Sequence, residues 1–317
     1  MPIERQRCQE PTTPFEAGTE ASAALQWRPI ARFVDAETAL GERASAAGPV
    51  QAAAYEFLRF GIKQGWACIF GASLLALLIL TRLTWPAHSP IARYDALFAA
   101  AVLLQALLLY FKMETWSEAR VILIFHVVGT VMEIHKTAIG SWVYPEASIF
   151  RIGGVPLFTG FMYAAVGSYL ARVWRLFDFR FSRHPNLTAL SVLSFVIYAN
   201  FLTDHLGYDL RYGLIAVTAL LLGPTTIYFK VWRRHRHMPL LLGCALVTLF
   251  IWIAENIGTI TGTWLYPNQM QRWTTVSTAK FTSWFLLMII SYTLVARAHG
   301  IVRWRGEAET PVAIGTS

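Results

Sequence analysis

Charge is scarce in this sequence. Charged residues make up only 15% of its 317 residues, while 55% are apolar and 14% aromatic; an ordinary soluble domain carries about a quarter charged residues. A chain this apolar is expected to have the bilayer as its solvent. Cysteine is scarcer still. Cys8, Cys68 and Cys244 lack CxxC or Cys/His ligand spacing, which argues against a disulfide framework and against a zinc module. No Walker loop, GxSxG elbow, HExxH pair or dinucleotide fingerprint stands in a fitting context, so nucleotide-driven pumping and the common hydrolase schemes are disfavoured and no cofactor or metal is expected.

What is present is long apolar runs. A membrane span needs about 20 mostly apolar residues, and eight stretches qualify: Trp66 to Trp85, Asp95 to Phe111, Ala119 to Gly140, Gly154 to Phe177, Leu187 to Thr203, Leu210 to Phe229, Pro239 to Ile260 and Phe281 to Ala296. The predicted fold is therefore all-α and polytopic, with about eight transmembrane helices. Residues 1–50 mix charges with Pro, Ser and Thr without sustained apolar periodicity and read as a flexible tail. The membrane domain is expected over residues 51–300, with a short tail over 301–317. No apolar signal-peptide core precedes the first span.

Cationic loops stay cytoplasmic. Of the 27 Lys and Arg residues, twenty fall on the side of the N-terminus and five (Arg82, Arg93, Arg151, Arg211 and Arg272) on the other, leaving Lys136 and Lys280 in or at the edge of spans. This bias predicts that both termini are cytoplasmic, and it accounts for the net charge of +8 without any nucleic acid. The basic run from Lys230 to His237 reads as a topology-setting loop that could also attract anionic headgroups. Phe177 to Phe181 looks amphipathic and suited to the cytoplasmic interface.

An internal repeat organises the chain. Glu133-Ile-His-Lys-Thr-Ala-Ile-Gly-Ser-Trp-Val-Tyr-Pro145 superposes without a gap on Glu255-Asn-Ile-Gly-Thr-Ile-Thr-Gly-Thr-Trp-Leu-Tyr-Pro267, at a constant offset of 122 residues. This predicts two parallel four-helix repeats, about 51–180 and 181–300, related by an axis along the membrane normal. Trp142, Tyr144, Trp264 and Tyr266 are expected at the non-cytoplasmic interface as anchors.

At 100° per residue His126, Thr130, Glu133, Thr137 and Gly140 share one helix face, with Lys136 at its margin and His135 pointing away. The other copy presents Thr248, Glu255, Thr259 and Gly262, with Asn256 following Glu255. An ionised carboxylate at membrane depth costs at least ~2.5 kcal/mol, so the two glutamates need partners, water or protons. One reading pairs Glu133 with Lys136, or either glutamate with Lys280, as buried glue. A second leaves a neutral carboxylic acid in an apolar chamber, which suits protonation of an isoprenoid double bond between aromatic walls. A third is a proton-coupled transporter of a small or amphiphilic solute. A metal site from His126, Glu133 and His135 is disfavoured because the histidines face opposite sides of the helix. Asp204 and His205 read as solvated residues at a helix end.

The stretches Phe60 to Gly71, His126 to Glu146, Arg151 to Tyr169 and Ala254 to Gln269 resemble the bacterial membrane-protein family known as domain of unknown function 817, over roughly residues 52–298. The resemblance implies a membrane location and leaves the activity open. Glu255-x-x-Gly258-x-x-Thr261-Gly262 with its aromatic-Tyr ending is also similar, over a short stretch, to the membrane carotenoid hydratases and lycopene cyclases; the first copy differs there, with Lys136 and Ile139. The leading expectation is thus an enzyme acting on an isoprenoid-like lipid, with Glu133 and Glu255 as acid and base, His126 or Lys136 tuning them, and Thr137, Trp142, Tyr144, Asn256, Thr259, Trp264, Tyr266 and Lys280 around the substrate. Membrane lipids are the partners, a homo-oligomer is left open, and a membrane scaffold is the third alternative.

Overall fold

A computed structural model describes residues 28–86, 88–111, 113–207 and 209–306. Residues 1–27, with Cys8 and the first tail arginines, Lys112, and residues 307–317 lie outside them. Among the described residues there are ten α-helices, which we number α1 (Arg28–Ala47), α2 (Pro49–Ala67), α3 (Ile69–Thr84), α4 (Arg93–Tyr110), α5 (Trp116–Ala138), α6 (Phe158–Leu176), α7 (Leu187–Thr203), α8 (Arg211–Leu222), α9 (Leu240–Ile260) and α10 (Ala279–His299).

Five of these, α4, α5, α7, α9 and α10, are long and apolar enough to cross a membrane, and a sixth span results if α2 and α3, bent by 67° at Cys68, count as one. The chain is a multi-pass helical protein; the other two expected spans, α6 and α8, do not by themselves reach that length and apolarity. Helix α6 has the length, but Gly, Ser, Tyr and two arginines dilute its hydropathy. The reason is its position: it packs against α2, α3, α4, α5 and α10, so protein rather than lipid surrounds most of it. Helix α8 has only 12 residues and rises about 18 Å. The apolar run expected to continue to Phe229 turns instead into a strand.

That strand is β4 (Thr226–Lys230) of an antiparallel sheet ordered β3-β4-β5, with β3 at Arg180–Ser182 and β5 at His235–Pro239; β1 (Arg151–Ile152) and β2 (Val155–Pro156) form a separate two-stranded sheet. The basic loop is thus a hairpin, in which Lys230 pairs with His235. The amphipathic segment Phe177 to Phe181, expected at the cytoplasmic interface, is a tight turn, with Asp178 at φ 45, leading into β3. Phe177 and Phe181 are buried in the largest apolar cluster. Trp304 stacks on Tyr228 with ring centroids 4.2 Å apart, which fixes the chain after α10 against the sheet.

The flexible tail expected over residues 1–50 contains α1, packed on α2. Its polar composition hides it from a periodicity search, but the Tyr55 ring lies over Gly41, where a Cβ would collide with it. The Tyr55 hydroxyl donates to the Glu37 carbonyl at 3.0 Å. Helix α5 begins with a reciprocal cap, Thr115 Oγ1 accepting from Glu118 N at 3.2 Å and Glu118 accepting from Thr115 N at 2.8 Å, the arrangement that satisfies two orphan amides at once.

Candidate functional site

Both Glu-to-Tyr segments close by the same local device. Helices α5 and α9 end at Gly140 (φ 74) and Gly262 (φ 64), left-handed positions that glycine adopts without a Cβ penalty. The amide of Ser141 then bonds the Lys136 carbonyl at 2.9 Å, and that of Thr263 bonds the Gly258 carbonyl at 3.0 Å, the six-to-one closure of a Schellman turn. The chain reverses and runs extended. Residues two apart on an extended segment point the same way, so each Trp-x-Tyr pair lies back on the glutamate of its own helix.

The result is two clasped carboxyls. Trp142 Nε1 donates to Glu133 Oε2 at 2.7 Å and the Tyr144 hydroxyl donates to the same oxygen at 2.5 Å. Trp264 Nε1 and the Tyr266 hydroxyl donate to Glu255 Oε1 at 2.9 and 2.5 Å. Glu133 has a third donor that sequence reasoning missed, Tyr163 on α6, whose hydroxyl reaches Oε1 at 2.5 Å. Nothing in its local sequence singles Tyr163 out, because its partner lies on another helix. Glu133 is 4% exposed and Glu255 7%.

The residue between each Trp and Tyr joins the two clasps. Val143 and Leu265 form an antiparallel bridge, with amide-to-carbonyl bonds of 2.9 and 3.0 Å in both directions, and the Trp142 and Tyr266 rings meet edge to face at 6.1 Å. The aromatics are therefore not surface anchors as expected: Trp142, Trp264 and Tyr266 are buried and spend their polar atoms on the carboxyls. Gly258 is required for this, since a Cβ there would enter the Trp264 ring.

Other expected members are elsewhere. Lys136 does not pair with Glu133; its Nζ lies 2.6 Å from Asp204 Oδ1 and 4.4 Å from the Phe201 ring centroid, so Asp204 is an ion-pair partner rather than a solvated helix end. His126 lies against the Phe161 ring at 4.6 Å and directly beneath Gly160. Asn256 is structural, accepting from Val276 N at 3.0 Å and donating to the Trp252 carbonyl at 2.8 Å. Thr259 accepts from Trp273 Nε1 at 3.1 Å, and the Thr137 hydroxyl is buried without a partner among the described residues. His135 turns to the Leu202 carbonyl at 2.8 Å. No group of three or more His, Cys, Asp or Glu side chains among the described residues could hold a metal.

Both glutamates, Trp142, Tyr144, Tyr163, Trp264, Tyr266 and Lys280 line a cavity of about 770 Å³. Its walls come from the bent α2–α3 pair, α6, α9 and α10, and it extends to Phe229 and Met238 of the sheet. Apart from the glutamate end, the wall is mostly apolar, with Gln64 and the hydroxyls of Tyr169 and Tyr292 among the exceptions. Lys280 brings its Nζ to 4.5 Å from the Tyr266 centroid and 5.2 Å from that of Trp142. Two acids, one amine and a wall of aromatic rings at the end of an apolar cavity can donate and accept protons and stabilise a positive charge.

The profile of a family described as a protein of unknown function (DUF817) matches residues 56–292. The uncharacterized protein YoaT of Bacillus subtilis (strain 168) is 39% identical over 241 residues, which cover 76% of this chain and 90% of that protein. No solved structure matches the chain.

Proposed function

The chain belongs to the DUF817 family, and from that membership and the geometry of the clasped glutamates we propose an inner-membrane enzyme that modifies an isoprenoid-like lipid without a cofactor, by hydration, cyclisation or isomerisation. The observation that carries this reading is the placement of Glu133 and Glu255 at the polar end of an otherwise mostly apolar cavity of about 770 Å³, within the ~300–1,000 Å³ range of small-molecule sites. In this reading the Glu255 carboxylic acid protonates a double bond of the bound chain. The carbon cation formed faces Trp142, Trp264 and Tyr266. It is resolved by loss of a neighbouring proton to a carboxylate, with Glu133 as the candidate base, or by addition of water followed by loss of a proton. Tyr163 and Lys280 replace His126 and Lys136 as the tuning groups.

The same proposal includes two parallel four-helix halves, α3 to α6 and α7 to α10, giving eight spans with both termini cytoplasmic. Three features support it. Helices α3 and α7 start 118 residues apart, as do α4 and α8, while the Glu motifs on α5 and α9 stand 122 apart. The helix contacts recur: α6 packs on α3, α4 and α5, and α10 on α7, α8 and α9; across the halves, α3 meets α9 and α5 meets α7. The reciprocal Val143–Leu265 bridge is what a two-fold axis requires of equivalent residues.

A second reading, a proton-linked transporter of a small or amphiphilic solute, draws support from the length of the cavity, which joins the glutamate end to the sheet end. Comparative mass spectrometry of lipids and pigments separates the two. Cells with the protein, without it, and with Glu255→Gln are extracted; a species differing by water, or an isomer, that tracks the intact glutamate supports the enzyme. Identical profiles, with proton uptake in sealed liposomes that an uncoupler collapses, favour transport. A scaffold would tolerate Glu133→Gln and Glu255→Gln.

A further inference from the structure

Lys280 is the one member of this site whose polar atom has no hydrogen-bonding partner among the described residues. Two other described lysines within the helical body have engaged amines, Lys136 on Asp204 and Lys63 on the carbonyls of Leu176 and Lys230 at 2.8 and 3.1 Å, while Lys230 is exposed. The Lys280 amine instead rests on two rings, and each ring is tethered by its own polar atom to a different glutamate, Tyr266 to Glu255 and Trp142 to Glu133. Its side chain lines the cavity. Trp264 and Tyr266 both converge on Oε1 of Glu255, and no described side chain donates to Oε2.

The chemistry of the occupant follows from the charges. An anionic headgroup brought to Lys280 would face two carboxyl groups at close quarters. A cationic headgroup would compete with the ammonium for the same ring faces. A neutral carbonyl conflicts with neither, because condensation with the amine leaves a positive nitrogen where the rings and acids already accommodate one. Lysines held in apolar pockets are the usual Schiff-base formers.

We infer that Lys280 is a covalent site for a long-chain aldehyde, which it holds as a protonated Schiff base with its tail along the apolar cavity. In its neutral form the amine nitrogen attacks the carbonyl carbon, forming a C–N bond, and one N–H proton passes to the carbonyl oxygen to give a neutral carbinolamine. Glu255 gives a proton to the carbinolamine oxygen, which leaves as water as the C=N bond forms. The products are an iminium on Lys280, a Glu255 carboxylate as its counter-ion, and one water. This inference stands on Lys280 and holds whether or not the glutamates act on double bonds.

The full chain, purified in detergent, would be mixed separately with hexadecanal and with all-trans-retinal, reduced with borohydride, and mapped by peptide mass spectrometry. The expected result is an adduct concentrated on Lys280, together with a red shift of the polyenal absorption before reduction. Lys280→Arg, which keeps the cation on the rings, should lose both signals while eluting as the folded protein. In Glu255→Gln, the unreduced iminium should lose its proton, and with it the red shift, at a lower pH than in the natural protein, because its carboxylate counter-ion is gone. Should the Lys280 variants fail to fold, the map of the natural protein still decides: adducts spread over Lys63, Lys112, Lys136 and Lys230, or no Lys280 adduct with either aldehyde, would overturn the inference. Because lipid profiles report on the glutamates and adduct mapping on Lys280, either proposal can fail without the other.

Discussion

Substitution of Arg172 by Met should be among the most damaging changes in this protein. Its guanidinium contacts Glu114 Oε1 at 3.1 Å, both side chains are 0% exposed, and it donates to the Trp66 carbonyl at 3.3 Å. Glu114 is held further by Gln105 and by Ser168 Oγ at 3.1 Å. Removing one partner of a buried pair typically costs 3–5 kcal/mol, roughly two to four powers of ten in the unfolding equilibrium, because the remaining charge is left uncompensated. That is a large share of a total stability of about 5–15 kcal/mol. Burial pushes the Glu114 carboxyl above its ordinary range in spite of Arg172. Glu114→Gln keeps an acceptor oxygen for Arg172 and Ser168 and should cost less than Arg172→Met, and the double replacement Arg172→Met with Glu114→Leu should recover most of the loss. The assay is unfolding by SDS in mixed dodecylmaltoside micelles, followed by tryptophan fluorescence. If Arg172→Met unfolds at the same SDS fraction as the natural protein, the pair is not the buried, mutually dependent unit described above.

Gly258→Ala should displace the Trp264 indole from Glu255, because the new methyl would enter the ring; overpacking of this kind costs about 1–3 kcal/mol, read by the same micelle titration and by a changed tryptophan spectrum. Tyr163→Phe and Tyr266→Phe each remove one hydrogen bond to a buried carboxyl, worth about 1.5–3 kcal/mol; if Glu255 is the reacting acid, lipid turnover should change far more in Tyr266→Phe than in Tyr163→Phe at equal protein abundance. Burial lowers the His184 pKa, and its Nε2 lies 2.7 Å from the Tyr292 hydroxyl. The unfolded chain then binds the extra proton near its ordinary pKa of about 6.5, so stability is present in full above that value and falls as pH drops below it. Thermal unfolding from pH 7.5 to 5.5 should show this slope, and His184→Gln should flatten it.

Much of this was legible in the chain itself. The offset of the two Glu-to-Tyr segments pointed to both carboxyls and to four of the five clasping aromatics, Tyr163 being the exception, since rare residues in register are a signal that no periodicity analysis requires. The roles of those aromatics were not legible. Interface anchoring and carboxyl binding call for the same amphipathic rings, and only the left-handed turn at Gly140 and Gly262 folds them back. Lys136 and Lys280 read alike as buried lysines, yet Lys136 is claimed by Asp204 across to α7 and its 3₁₀ turn, while Lys280 faces the cavity.

Sequence alone determined that the chain is a multi-pass helical protein, because apolar length and scarce charge act residue by residue and need no partner. It also picked out the two glutamates, because a carboxyl within an apolar run is conspicuous wherever the run ends up. Tertiary structure decided which helices are shielded from lipid. Helix α6 can hold Arg172, Ser168 and Tyr163 because five neighbours surround it, and the loss of hydropathy that this shielding permits is what made it the least conspicuous of the long helices. The site itself was decided there too: three donors on Glu133 and an amine open to the cavity depend on distances between helices, which local spacing does not encode.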